Sequence, residues 1–154
     1  MLYLVIGPPA AGKSTWCRSQ AGPDDIVIDF DRLAQALSVR DDAAGHDHPD
    51  ALKKVTKAAR RAAIDTAVGL AGMVDVYVIH STPSPRLVAD YRRKGAKVVV
   101  VDPGRDVVMA RAKAERPWWM QQVVKRWYEA PTRVPGSATV QQSDQHTTSN
   151  ALAW

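Results

Sequence analysis

The stretch "GPPAAGKSTW", residues 7–16, follows directly on the apolar run "MLYLVI" and restricts the fold more than any other feature of the chain. A hydrophobic core has no use for two glycines, a lysine and two hydroxyls packed against the end of a buried strand. A phosphate does. The stretch matches G-x-x-x-x-G-K-[ST] through Gly7, Gly12, Lys13 and Ser14. Glycines at those positions let the backbone turn several N–H groups inward around an anion. A helix starting at the same place adds its positive end. The motif therefore predicts a site for an ATP-like triphosphate lined by Gly7, Ala10, Ala11, Gly12, Lys13, Ser14 and Thr15. Lys13 reaches the β- and γ-phosphates and the Ser14 hydroxyl ligates Mg²⁺.

The rest of the chain alternates apolar runs with helical patterns. Strands are expected at "LYLVI" (2–6), "IVID" (26–29), "VDVYVIH" (74–80) and "AKVVVVD" (96–102), and "SATVQ" (137–141) suits a short edge strand. Between them come helices at about 13–20, 31–38, 51–72, 84–95, 104–116 and 117–130. In the longest, Leu52, Val55, Ala59, Ala62, Ala63 and Thr66 are expected near one face. Strand–helix alternation with near-continuous apolar strands implies an α/β fold, a parallel sheet covered on both faces. A helical lid is expected at about 111–130. The domain is expected to span 1–141, with a polar, flexible tail over 142–154.

With 154 residues the chain is expected to form one domain. Cys17 is its only cysteine, so no intrachain disulfide can form. No segment is long and apolar enough for a membrane span, and the start lacks a basic leader region. The expectation is a cytoplasmic protein without membrane attachment. A net charge of +5 suits a polyanionic partner such as a nucleotide or nucleic acid, and equally a surface tuned for solubility. Lys53, Lys54, Lys57, Arg60 and Arg61 form a basic run in the long helix, readable as a nucleic-acid groove or as a solvated face.

Asp29 and Asp31 in "IVIDFDRL" fall at the carboxyl end of the second strand, the edge at which open α/β sheets bind ligands. A carboxylate there can take the proton of an attacking hydroxyl. Asp31 is the candidate base; its competing reading is the N-cap of the helix it precedes. Asp29 is the reserve base or a group that orients magnesium-bound water. Arg32 is a candidate contact to the acceptor. The third strand ends in His80 and Ser81, where motor and switch ATPases carry a Walker B acid.

Arg111 and Arg116 lie about one and a half helical turns apart in "RAKAERPWW". Arginines on a closing lid stabilise charge on a moving phosphoryl group and exclude water. Trp118 and Trp119 beside them read more readily as lid packing than as a stacking surface. His46 and His48 in "GHDHPD" suit a polar substrate loop better than a metal site.

Together these residues resemble the P-loop kinases related to the kinase domain of polynucleotide 5′-hydroxyl kinase. "GPPAAGKSTW" resembles that family's phosphate loop and first helix, "VIDFDRL" its base-bearing strand, and "VVVVDPGRDVVMARAKAER" its last core strand and lid helix. "YEAPTRVPGSATV" resembles the proline–threonine segment that closes related small kinases. The resemblance implies the strand order 2-3-1-4-5, Mg²⁺-ATP as donor, a hydroxyl acceptor, Asp31 as base, and Arg111 and Arg116 over the donor phosphates. In that family an arginine follows the base by about one helical turn and contacts the acceptor phosphate; here Leu33, Ala34 and Gln35 stand in that interval. The sequence thus leads to a phosphotransferase acting on a hydroxyl of a nucleic acid. Its alternatives are a nucleoside, nucleotide or small-metabolite kinase, and an ATP-binding interaction protein or weak ATPase.

Overall fold

The computed structural model describes residues 1–40, 47–130 and 136–140. Eleven elements follow in order: β1 (Leu2–Ile6), α1 (Lys13–Gln20), β2 (Ile26–Ile28), α2 (Phe30–Leu37), α3 (Asp50–Val68), β3 (Val76–His80), α4 (Pro85–Arg93), β4 (Lys97–Val101), α5 (Arg105–Glu115), α6 (Met120–Glu129) and β5 (Ala138–Val140). The strands form one parallel sheet ordered β2-β3-β1-β4-β5, the expected α/β arrangement. The expected tail, and residues 131–135 of the proline–threonine segment, lie outside the described residues.

Alternation along β1 sorts the core into two layers. Leu2, Leu4 and Ile6 point to one face, where they join Val76, Val78 and Val98 against Ala67 of α3 and Val88 and Tyr91 of α4. Val5 points to the other face and packs with Tyr77, Ile79, Val99, Val101 and Cys17 of α1. Strands buried on both sides carry no polar alternation, which is why "LYLVI" and "KVVVV" read as continuous apolar runs. Burial raises the Cys17 thiol to about 12, so it behaves as a small apolar group beneath α1.

The long helix differs from its expected face. Val55 is 56 % exposed, and Ala62 and Thr66 also face outward. The inward stripe holds Leu52, Thr56, Ala59, Arg60, Ala63, Ile64 and Ala67. The small residues permit close approach, but they appear on both faces of α3 and so carry little directional signal. The helix also stops at Val68, with turns through Gly69–Met73 held by bonds such as Met73 N–H to Leu70 C=O at 2.8 Å. Strand β3 accordingly starts two residues later than expected, after Asp75 N–H has bonded Asp25 Oδ1 at 2.8 Å.

Candidate active site

The phosphate loop lies between the end of β1 and the start of α1. A Cβ on Gly7 would stand 2.2 Å from the backbone oxygen of Val101, so only glycine fits where the loop crosses β4. Gly12 caps α1 with φ 87°, and Ala10 takes φ 62°, a left-handed conformation that costs a non-glycine residue about 1 kcal/mol. Contacts compensate. Ala10 and Ala11 join Val108 and Ala112 of α5 and Val124 of α6 in a small apolar cluster. The alanines of "PPAAG" thus tie the phosphate loop to the helical hairpin α5–α6, the segment expected as the lid.

Lys13 is 8 % exposed, and its Nζ donates to the carbonyl oxygens of Gly7 at 2.9 Å and Pro8 at 2.7 Å. Burial is the largest influence on it and lowers the ammonium to about 8; Asp29 opposes that shift and Arg116 adds to it. Ser14 Oγ donates to Asp29 Oδ2. Asp29 Oδ1 accepts the Asp31 N–H at 3.1 Å, making Asp29 the N-cap of α2. The competing structural role foreseen for Asp31 therefore belongs to Asp29. Asp31 sits one residue inside the helix, and its Oδ1 lies 3.0 Å from Nε2 of His48, itself only 8 % exposed. His48 thus engages the Asp31 carboxylate, while His46 lies outside the described residues.

These groups line one open cavity of about 890 Å³. Residues 9–15 form its floor; Asp29, Asp31, Arg32 and Gln35 line one side, and Arg111, Arg116 and Trp119 another. Every side chain singled out for catalysis, Lys13, Asp31, Arg111 and Arg116, borders the same space. The hairpin α5–α6 is anchored at its root, where Tyr128 Oη donates to Asp102 Oδ1 at 2.5 Å, and across the cleft, where Trp127 Nε1 donates to the Ser81 carbonyl at 3.3 Å. Its tip does not pack as expected: Trp118 is 77 % exposed, and Trp119 lines the cavity. Pro117 breaks the hairpin there, and Arg116, with extended backbone, caps α5.

A family model described as an AAA domain matches residues 2–142, spanning all five strands, the phosphate loop and the hairpin. The chain belongs to that family. The AAA-domain match carries a P-loop NTPase and kinase-like fold, in agreement with the sheet order and the loop geometry. No curated protein matches the chain.

Within this AAA-domain fold, the donor set suits Mg²⁺ held by few protein ligands. Ser14 and Asp29 present hard oxygen atoms at the start of α1, and no cluster of three or more His, Cys, Asp or Glu exists among the described residues. At the end of β3 stands His80 rather than an acid. Burial, and secondarily the positive charge of Arg60, push its imidazole down to about 4, so it is neutral at neutral pH. Arg60 itself was not foreseen as a site residue. It borders the cavity from α3, and its Nη2 donates to the Ile79 carbonyl at 2.6 Å. The basic run of α3 had offered no way to tell it from its neighbours. In the structure Arg60 falls one turn after Thr56 on the stripe that reaches the sheet.

Proposed function

We propose that the protein is a Mg²⁺-ATP-dependent kinase that phosphorylates a hydroxyl of a nucleic acid. The observation that carries this reading is the meeting of a phosphate loop and an independently held carboxylate, Asp31, in one cavity. In this reading Lys13 exchanges the loop carbonyls for oxygens of the β- and γ-phosphates. Ser14, with Asp29 behind it, would hold Mg²⁺, which would supply neutralisation of the phosphate charge. Arg111 and Arg116 draw the hairpin over the donor and exclude water. Asp31 accepts the proton of the acceptor hydroxyl. The acceptor oxygen forms its bond to the γ-phosphorus as the bond to the β–γ bridging oxygen breaks, and ADP leaves with that electron pair.

His48 keeps one Asp31 oxygen engaged and so fixes the orientation of the carboxylate. Trp119 in the cavity offers a ring on which a base can stack. A second reading, a kinase of free nucleotides or small metabolites, is favoured by the cavity's volume, which lies within the range of ordinary small-ligand sites.

The test is transfer of labelled γ-phosphate from Mg²⁺-ATP to a 5′-hydroxyl oligonucleotide, run beside nucleosides and nucleoside monophosphates. Label on the oligonucleotide supports the first reading, and label confined to a small acceptor supports the second. Asp31→Asn should lower kcat by about 10²–10⁴-fold, with ATP affinity unchanged. Full activity in that variant would remove Asp31 as the base.

A further inference from the structure

Arg60 is a cation placed where burial is costly, and the protein supplies it with little compensation. Desolvation is the largest influence on its guanidinium and lowers its pKa. One backbone carbonyl, that of Ile79, accepts from Nη2. The Nε atom is buried and has no hydrogen-bond partner. Among the described residues no carboxylate forms an ion pair with Arg60. Asp29, which acts on it electrostatically, spends its oxygens on Ser14 and the Asp31 N–H. Neighbouring His80 is neutral and offers no countercharge. A desolvated arginine with an orphan N–H and no anionic partner is destabilising unless something else pairs with it.

Its position narrows what that partner is. Arg60 is bound over the end of β3, between β1, which carries the phosphate loop, and β2, which leads into Asp29 and Asp31. The arginines of the hairpin follow β4, on the opposite side of β1. A group that touches Arg60 therefore lies on the same side of the phosphate loop as Asp31.

We propose that Arg60 is the receptor for a phosphate carried by the acceptor next to its reacting hydroxyl. The guanidinium presents planar, directed donors, the geometry that phosphate oxygens accept from best. Helix α3 thus supplies the acceptor contact that α2, with Ala34 and Gln35, does not provide as an arginine. The inference rests on the kinase reading for the word acceptor, but the binding it predicts does not require transfer to occur. A phosphate beside a hydroxyl occurs in a nucleoside 3′-monophosphate and at the 5′ end of a nucleic acid alike.

The experiment measures equilibrium binding to protein saturated with Mg²⁺-ADP. The probes are adenosine, adenosine 3′-monophosphate and a 5′-hydroxyl trinucleotide, each titrated against wild type, Arg60→Gln and Arg60→Lys. Wild type is expected to bind the phosphate-bearing probes at least about tenfold more tightly than adenosine, the value of a charge-assisted pair. Arg60→Gln should erase that preference while keeping the affinities for Mg²⁺-ADP and for adenosine. Arg60→Lys should retain part of it, and it stands in if the glutamine variant fails to fold. Gain on the trinucleotide alone assigns the site to nucleic-acid ends; an equal gain on the monophosphate assigns it to the shared phosphate. The proposal is overturned if wild type shows no phosphate preference, if the preference survives in both variants, or if the variants weaken Mg²⁺-ADP instead. Phosphate binding through Arg60 with no transfer to any acceptor would remove the kinase reading and leave this site standing.

Discussion

Replacing Lys13 with Met tests the electrostatics of the phosphate loop directly. The ammonium is nearly removed from water, and burial lowers it from 10.5 to about 8. Below pH 8 the amine is protonated in both the folded and unfolded chain, and the wild type carries the full cost of a buried charge. Between about 8 and 10.5 the unfolded chain still holds the proton while the folded one has released it, so wild-type stability rises with pH. A difference of 2.5 pH units corresponds to about 3 kcal/mol when complete. Lys13→Met lacks that rise. Urea unfolding of both proteins at intervals from pH 6 to pH 10 isolates the effect, because groups shared by the two cancel in the difference. The variant's stability relative to wild type should be constant up to about pH 7.5. It should then fall by roughly 2 kcal/mol by pH 10. The offset at low pH depends on the carbonyls of Gly7 and Pro8 that lose a donor, but the slope does not. A relative stability that stays flat from pH 7 to 10 would refute the reasoning, since the amine would then titrate as it does in water. Phosphoryl transfer should be lost in Lys13→Met at every pH.

Three further perturbations probe the site's construction. Gly7→Ala drives a Cβ into the Val101 carbonyl and should cost about 2–3 kcal/mol in urea unfolding, with weaker Mg²⁺-ATP binding as the loop shifts. Unchanged stability would show that the loop does not press on β4. Ala10→Gly relieves a left-handed alanine worth about 1 kcal/mol but gives up its methyl contacts with α5–α6 and adds the freedom of glycine when unfolded, so urea unfolding should show stability equal or lower by about 1 kcal/mol. His48→Leu removes the partner of Asp31 and should lower kcat about tenfold with Mg²⁺-ADP affinity intact, and His48→Gln should recover part of the loss. Equal loss in both variants would assign His48 to packing alone.

The donor side of this molecule was legible because its requirements are local. Loop, strand and helix are contiguous, Gly12 answers to the local start of α1, and the apolar strands announce a sheet covered on both faces; the contact of Gly7 with Val101 is long-range, and only the motif announced it. Sheet order followed from the resemblance to P-loop kinases. The proposed acceptor side was harder because it is assembled from residues far apart in the chain. Asp31 and His48 are separated by 17 positions and meet across the segment between α2 and α3. Arg60 turns inward on a helix whose alanines populate both faces, so neither hydrophobic period nor charge distinguished it from Lys57 or Arg61. Between the two aspartates, helix capping separated the roles: Asp29 satisfies the backbone and Ser14, which leaves the Asp31 carboxylate at the cavity.

On the kinase reading, that division has a consequence for how donor and acceptor depend on each other. Lys13 is a buried cation and Arg60 a half-buried one, and both sense Asp29 as an attractive charge. A phosphate bound at either cation offsets part of the cost of burying it, while Asp29 is drawn toward Ser14 and the metal on the donor side. On the kinase reading, Mg²⁺ beside Ser14 would compete with Arg60 for the Asp29 charge and leave Arg60 more dependent on an anion of its own. Phosphate affinity on the acceptor side should accordingly be higher with Mg²⁺-ADP bound than without it. By linkage the same factor must appear in the affinity for Mg²⁺-ADP when the acceptor is bound first. The two factors can be measured separately, and Asp29→Asn should bring both toward unity.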